Sequence, residues 1–368
     1  METVPSLTSG LGAHLREVIA AQGGWIGFDR FMHEALYAPG RGYYARDAGQ
    51  FGRRPSPTGG GDFVTAPEMS RFFGATLAVQ VAQALQQTGT REIWEFGAGS
   101  GALADQLLTA LGPQVERYTI VDVSGSLRAR QRDRLRAHAG RVHWADALPP
   151  QLAAVVVGNE VLDAMPVQLL ARQRGTWQER GVSVDPASDA LAWQDRPSGL
   201  RPPLEIPGAH DYLTEIHPQA EGFVRLLGDR LARGAVFLID YGFPEREYYH
   251  PQRSMGTVMC HRGHRMDADP LSDVGEKDIT AHVNFTGLAL AAQELPDFGV
   301  LGYTSQARFL LNCGLPGLLE GATLAERTMA QKLLMEHEMG ELFKVIGFWR
   351  GAPWEALGFA QGDRTHTL

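Results

Sequence analysis

Cysteine is almost missing from this chain: Cys260 and Cys313 are the only two in 368 residues. They stand far apart and belong to no metal-spacing motif, so neither a disulfide framework nor a cysteine-based metal site is expected. Long apolar runs are missing too, which argues against insertion in a membrane. The first ten residues lack the basic stretch and apolar core of a secretory signal, and the arginine-rich look of a transit peptide. Positive charge is also short. Lys and Arg number 34 against 42 Asp and Glu, a formal net charge of -8. That excludes a general nucleic-acid binder, which needs a basic face, and is compatible with a cationic substrate. A cytoplasmic protein of bacterial type is expected, or a mature chain already trimmed.

What is present is a change of rhythm along the chain. Leu11 to Ala21 and Phe28 to Tyr37 have the spacing of amphipathic helices. Arg46 to Gly61 is rich in Gly, Arg and Pro and reads as a surface loop, a candidate lid. Pro67 suits the first turn of a helix running to about Gln87, with Thr65 or Ala66 near its cap. From Glu92 onward, short apolar strands alternate with helices: Glu92 to Phe96, Tyr118 to Val123, Arg141 to Trp144 and Ala154 to Gly158. Such βα units feed a parallel sheet buried on both faces. Ala235 to Asp240, Gly299 to Tyr303 and Leu342 to Phe348 complete a count of seven strands. The expected organisation is an N-terminal helical lobe and lid over 1–90 and an α/β domain over 91–350. That domain carries β-rich insertions at about 167–214 and 241–285, and a tail follows over 351–368.

The first chemical signal is Ile93-Trp94-Glu95-Phe96-Gly97-Ala98-Gly99-Ser100-Gly101, a strand, three alternate glycines and then a helix. Such a turn brings backbone N–H groups close to a nucleotide-like ligand. Gly97, Gly99 and Ala102 also satisfy the looser dinucleotide pattern, so the glycines alone leave nicotinamide cofactors and S-adenosylmethionine both open. In a doubly wound sheet the ligand lies beyond the carboxyl ends of the strands. Strand two leaves Asp122 there, which can accept from both ribose hydroxyls or simply form a turn. Strand three leaves Asp146, which can take an adenine amino group or be a plain loop aspartate. Strand four leaves Asn159, Glu160 and Asp163, polar groups clustered at the mouth of an apolar strand. Such groups cap a short turn or face the reacting atoms. Glu95 can pair with the amino group of S-adenosylmethionine, whereas a pyrophosphate gains little from a nearby carboxylate. Asp240 and Tyr241 end strand five near the same crevice, or make the turn before Gly242. The set therefore suits methyl transfer better than hydride transfer. A nicotinamide-dependent oxidoreductase and a non-enzymatic assembly or binding module with the same fold are the alternatives.

Several segments in order resemble the MidA-type methyltransferases, a family that includes a mitochondrial complex I assembly factor. They are Leu36-Tyr37-Ala38-Pro39 with Gly42-Tyr43-Tyr44, and Gly61-Asp62-Phe63-Val64-Thr65-Ala66-Pro67-Glu68. The glycine turn, Asn159 to Pro166, Asp240-Tyr241-Gly242, Asp278 to Phe285 and Phe343 to Ile346 follow. The resemblance implies a seven-stranded, Rossmann-like class I methyltransferase sheet whose last strand runs antiparallel. It implies S-adenosyl-L-methionine as donor and a protein substrate with a methylatable arginine, carried to symmetric dimethylarginine. Carried over by position, Gly97, Gly99 and Gly101 form the donor turn and Asp122 the ribose acid. Thr65, Pro67 and Glu68 close over the site, and Asn159, Glu160 and Asp163 lie beside the methyl group. Arginine stays protonated in water, so a carboxylate must orient it; Glu160 leads, with Asp163 and Glu68 behind it. His282 is an alternative base or a structural histidine. A homodimer is compatible with this reading.

Overall fold

The structure, a computed structural model, describes residues 8–45, 65–122, 124–262 and 265–368. The lid expected over 46–61, and Asp62 to Val64 of the N-terminal motif, lie outside the described residues. The chain forms two compact units. One holds 64–162, 221–242 and 285–368; the other holds 163–220 and 243–284 with the described residues before 63.

The first of these units carries the large sheet. Its elements are α1 (Ala66–Met69), α2 (Arg71–Thr88), β1 (Glu92–Phe96), α3 (Ala102–Leu111), β2 (Arg117–Val121), α4 (Gly125–Arg134), β3 (Val142–Ala145), β4 (Leu152–Asn159), β5 (Leu231–Phe243), β6 (Phe298–Ser305) and β7 (Phe343–Arg350). The strand order is β6-β7-β5-β4-β1-β2-β3. β1 pairs in parallel with β2 and β4, β2 with β3, and β4 with β5. The last strand, β7, is antiparallel to both β5 and β6. The chain moves outward from β1 to β3, then returns to place β4 on the other side of β1. Between β1 and β4 the connections diverge, which leaves a crevice at their carboxyl ends. Alternation decides which side chains meet the helices. Ile93, Tyr118, Ile120, Val155 and Val157 pack with Phe73, Leu77, Leu103 and Leu107 into one buried core.

The helix expected from Pro67 to Gln87 is instead two, α1 and α2. Ser70 between them is extended, with φ -149° and ψ 125°, and its hydroxyl accepts from Phe72 N at 3.3 Å. A serine that caps a new helix end interrupts the old one. The tail after β7 folds back on the edge strand β6. Arg364 N donates to Tyr303 O at 2.6 Å, and Asp363 Oδ1 accepts from Tyr303 N at 3.0 Å.

In the second unit, strands Gln168–Gln173, Thr176–Val184, Leu191–Pro197 and Tyr212–Ile216 form an antiparallel sheet. Trp25–Gly27 adds to it, pairing with Gly181 to Ser183. The helices Thr8–Ala21 and Phe28–Tyr37 share a core with that sheet, through Leu15, Phe31, Leu36, Leu169 and Val182. Met259–Arg262 pairs with Arg265–Asp267 and Asp278–Thr280 in a small second sheet. No helix among the described residues is long and apolar enough to cross a membrane.

Candidate active site

The glycine turn leaves β1 at the crevice. Gly97, Gly99 and Gly101 all have positive φ, at 63°, 52° and 83°. At Gly97 a Cβ would stand 2.6 Å from Val161 Cγ2, so the close approach of two loops requires glycine there. At Gly99 a Cβ would meet nothing within 4 Å. The backbone there borders open space, which a side chain would fill. Gly101 precedes α3, whose first turn begins at Ala102.

Two polar side chains, Glu68 and Gln131, fasten this turn to its surroundings, and Gln106 seats the helix beside it. Glu68, on α1, accepts from Ser100 Oγ and pairs with the Arg134 guanidinium, Nη1 to Oε1 at 2.6 Å. These partners outweigh partial burial and hold the Glu68 carboxyl below its usual range. Gln106 Nε2, on α3, donates to Pro67 O at 2.7 Å, and Thr65 O accepts from Glu68 N and Met69 N at 3.0 Å. Thr65 and Pro67 thus act through backbone groups that seat α1. Gln131, on α4, is fully buried; its Nε2 donates to Gly99 O at 2.9 Å and to Asp122 Oδ2 at 2.7 Å.

Asp122 directly follows β2 and is 7 % exposed. Its Oδ1 accepts from Ser124 N at 2.9 Å, which shapes the turn into α4. Desolvation raises its pKa, against the hydrogen bonds from Ser124 and Gln131 and the charge of Arg128. Arg128 donates to Asp122 O and Ala145 O, tying the ends of β2 and β3. The same guanidinium reaches Asp146 Oδ1 at 2.5 Å, and that carboxylate is otherwise exposed. Glu95 lies deeper. It is 2 % exposed, on the helix-covered face of β1, and accepts from Tyr118 Oη at 2.7 Å. Burial pushes its pKa up to about 8, opposed by Tyr118 and reinforced by Asp122.

The segment after β4 is held as firmly. Asp240, fully buried on β5, accepts through Oδ2 from Val161 N at 3.1 Å and Leu162 N at 2.9 Å. Its Oδ1 accepts from Tyr241 N at 2.9 Å. Glu160 N donates to Ile239 O at 2.9 Å. With both ends fixed, Glu160 sits at φ 54°, a left-handed conformation that costs a residue with a Cβ on the order of 1 kcal/mol or more. Asn159 Nδ2 donates to Glu160 Oε1 at 2.9 Å. Asn159 Oδ1 is buried and has no hydrogen-bond partner among the described residues. A buried acceptor left in that state is costly and suits an incoming donor.

The family described as "Putative S-adenosyl-L-methionine-dependent methyltransferase" matches residues 76–304. The chain belongs to this family. It is 28% identical over 352 residues to the human mitochondrial protein arginine methyltransferase NDUFAF7, covering 84% of this chain and 75% of that one. The Caenorhabditis elegans homolog is 26% identical over 345 residues, covering 84% and 78%. A COG1565 superfamily member from Burkholderia thailandensis, solved bound to S-adenosyl-homocysteine, is 50% identical, with a TM-score of 0.93 over all of both chains.

The methyltransferase therefore has the α/β fold expected from its strand pattern, and its donor is S-adenosylmethionine. The nicotinamide alternative falls with the family match, because the glycine spacing it rested on is common to both cofactor classes and the family uses S-adenosylmethionine. The residues of the methyltransferase fit this donor. Open space flanks Gly99, and a largely buried acid follows β2 beside it. Glu68, Glu95, Gly97, Gly99, Gly101, Asp122 and Asp146 gather around the turn and the strands beside it. Asp163 lies in the second unit, where its backbone carbonyl accepts from Ala281 N at 2.9 Å. His282 is in that unit too, its ring edge-on to Phe243 at 5.2 Å.

Sequence reasoning passed over Ser100, Tyr118, Arg128, Gln131 and Arg134. A signal existed for one of them. Leu127, Gln131 and Leu135 form a buried stripe at a spacing of four. A lone amide in an apolar stripe must find partners inside the fold.

Proposed function

We propose that this methyltransferase modifies arginine in a protein substrate, completing symmetric dimethylarginine, in a cytoplasmic setting. The observation that carries the proposal is Asn159 and Glu160 side by side at the end of β4. A buried amide oxygen without a hydrogen-bond partner among the described residues stands beside a carboxylate that the same amide holds in place. A guanidinium is planar, cationic and carries five N–H donors, so it can engage both acceptors together. The names of the human and worm relatives support the same acceptor.

Bound S-adenosylmethionine supplies an electrophilic methyl carbon on a sulfonium. The residues of the chain do the rest. Glu160 would orient the guanidinium and accept its proton as the methyl leaves sulfur for nitrogen and S-adenosylhomocysteine is released; Asn159 fixes the carboxylate and, with it, the angle of approach. Asp122 would receive the ribose hydroxyls and Asp146 the adenine amino group; Glu95, buried against Tyr118, would serve the amino end of the donor. Gly97, Gly99 and Gly101 let the backbone approach the donor, while Thr65, Pro67 and Glu68 seat α1 against the turn.

The test is methylation of a cell extract with labelled donor, followed by mass spectrometry of the labelled peptides. Symmetric dimethylarginine is expected on a protein, absent with Glu160→Gln. Label found only on lysine, on a carboxyl group or on a small molecule would remove the arginine assignment.

A further inference from the structure

We propose that Gln131 is a positioning residue for the donor pocket, setting the glycine turn and the β2 acid in one fixed relation. The inference rests on the reading of Asp122 as the ribose acid. Its warrant is a complete use of one buried amide. Nε2 has two hydrogens, and they go to Gly99 O at 2.9 Å and Asp122 Oδ2 at 2.7 Å. Oε1 accepts from Trp144 Nε1 at 2.8 Å. One side chain therefore joins the turn after β1, the end of β2 and a residue of β3, the three neighbouring strands whose ends border this side of the crevice.

Each bond has a consequence for the donor. Fixing the Gly99 carbonyl fixes its peptide plane, at the glycine whose missing side chain leaves open space. Holding Oδ2 of Asp122 while Ser124 N holds Oδ1 sets the plane of the carboxylate. Its remaining lone pairs then have one orientation in which to meet a diol. The bond from Trp144 fixes which amide atom is which, because an indole N–H only donates and demands the oxygen. Gln131 cannot flip without placing N–H against N–H. Packing adds a second restraint: a Cβ at Gly101 would lie 3.5 Å from the Cα and Cγ of Gln131, so α4 already touches the turn. The mechanism assigned above gives Gln131 no contact with the donor, so it acts through Gly99 and Asp122.

The experiment is calorimetric titration of the full chain with S-adenosylhomocysteine and, separately, with adenosine. Gln131→Met keeps the volume and removes all three hydrogen bonds. Both ligands are expected to bind about tenfold more weakly or worse, a loss of the size one disrupted buried hydrogen-bond site produces. A purely structural glutamine would give a lower melting temperature with unchanged affinity, because methionine restores the packing; that result overturns the proposal. If Gln131→Met does not fold, Gln131→Glu carries the same test. It preserves shape and the bond from Trp144, and sets a carboxylate against Asp122 and the Gly99 carbonyl. Asp122→Asn separates the two ideas. Unchanged S-adenosylhomocysteine affinity in that variant removes the ribose reading itself. Weakened affinity there, with none in the Gln131 variant, removes only the role of Gln131.

Discussion

Glu95 illustrates how burial changes the chemistry of one side chain. Ordinary glutamate titrates near 4.5; burial raises Glu95 to about 8, with Tyr118 resisting the shift. The sign follows from linkage. A raised pKa means that the folded state binds the proton more tightly than the unfolded chain does. The stabilisation is full below about pH 4.5 and is lost progressively as pH rises through about 8. Glu95→Gln keeps an oxygen for the Tyr118 hydroxyl and removes the titration. Relative to the native chain, the variant should therefore gain stability between pH 5 and 9, by a few kcal/mol at most. Thermal melts of both proteins across that range check this, and parallel curves would show that Glu95 is already solvated. At the other end of the crevice, Glu160→Gln should leave S-adenosylhomocysteine affinity within about twofold of native while turnover falls by about 100-fold, the scale of a lost general base. Equal loss of binding and turnover would instead make Glu160 a support of the segment.

Elements decide where these residues stand. α1 has only four residues, too few to hold together alone. It is fixed by Glu68 to Ser100 and Arg134, and by Gln106 to Pro67 O. Glu68 and Arg134 are partly exposed, so the pair is screened and its contribution is modest. Glu68→Gln should weaken S-adenosylhomocysteine binding by about two- to fivefold, with the difference shrinking at high salt. A salt-independent loss of catalysis with intact binding would place Glu68 at the chemistry instead. The segment after β4 depends on Asp240 in a comparable way, but deep in the protein. Asp240→Asn exchanges one acceptor oxygen for a donor, against three backbone N–H groups. It should cost about 1–3 kcal/mol of stability in denaturant unfolding, and release the left-handed Glu160.

For the whole molecule, edge protection and local packing matter most. β6 is an edge of the large sheet, and the tail after β7 pairs along part of it. Phe359 packs beside Phe309, and Gly302 and Gly347 leave room for its ring. Ending the chain at residue 350 should therefore lower the melting temperature and promote self-association through the bared edge, seen by light scattering. A truncated chain that stays monomeric and equally stable would show the tail to be dispensable.

Much of this was legible along the chain, because the patterns are local. The alternation of short apolar strands with helices fixed the parallel α/β sheet. The glycine turn was visible as three alternate glycines after a strand, and Asp122 fell where a second strand must end. The helix break at Ser70 was not legible, because a serine inside an apolar period reads as a tolerated polar residue until its capping bond is known. The pairing of Trp25–Gly27 with Gly181 to Ser183 spans about 150 residues and leaves no local trace. The sequence by itself determined the fold class, the glycine turn and the cluster of polar groups after β4. Only the tertiary structure decided what each polar group touches. Glu68 meets Arg134, Glu95 meets Tyr118, Gln131 joins Gly99 to Asp122, and Asp240 holds the backbone beside Glu160. Periodicity tells which side chains turn inward, but a buried polar group is satisfied by whichever partner the packing brings within about 3 Å.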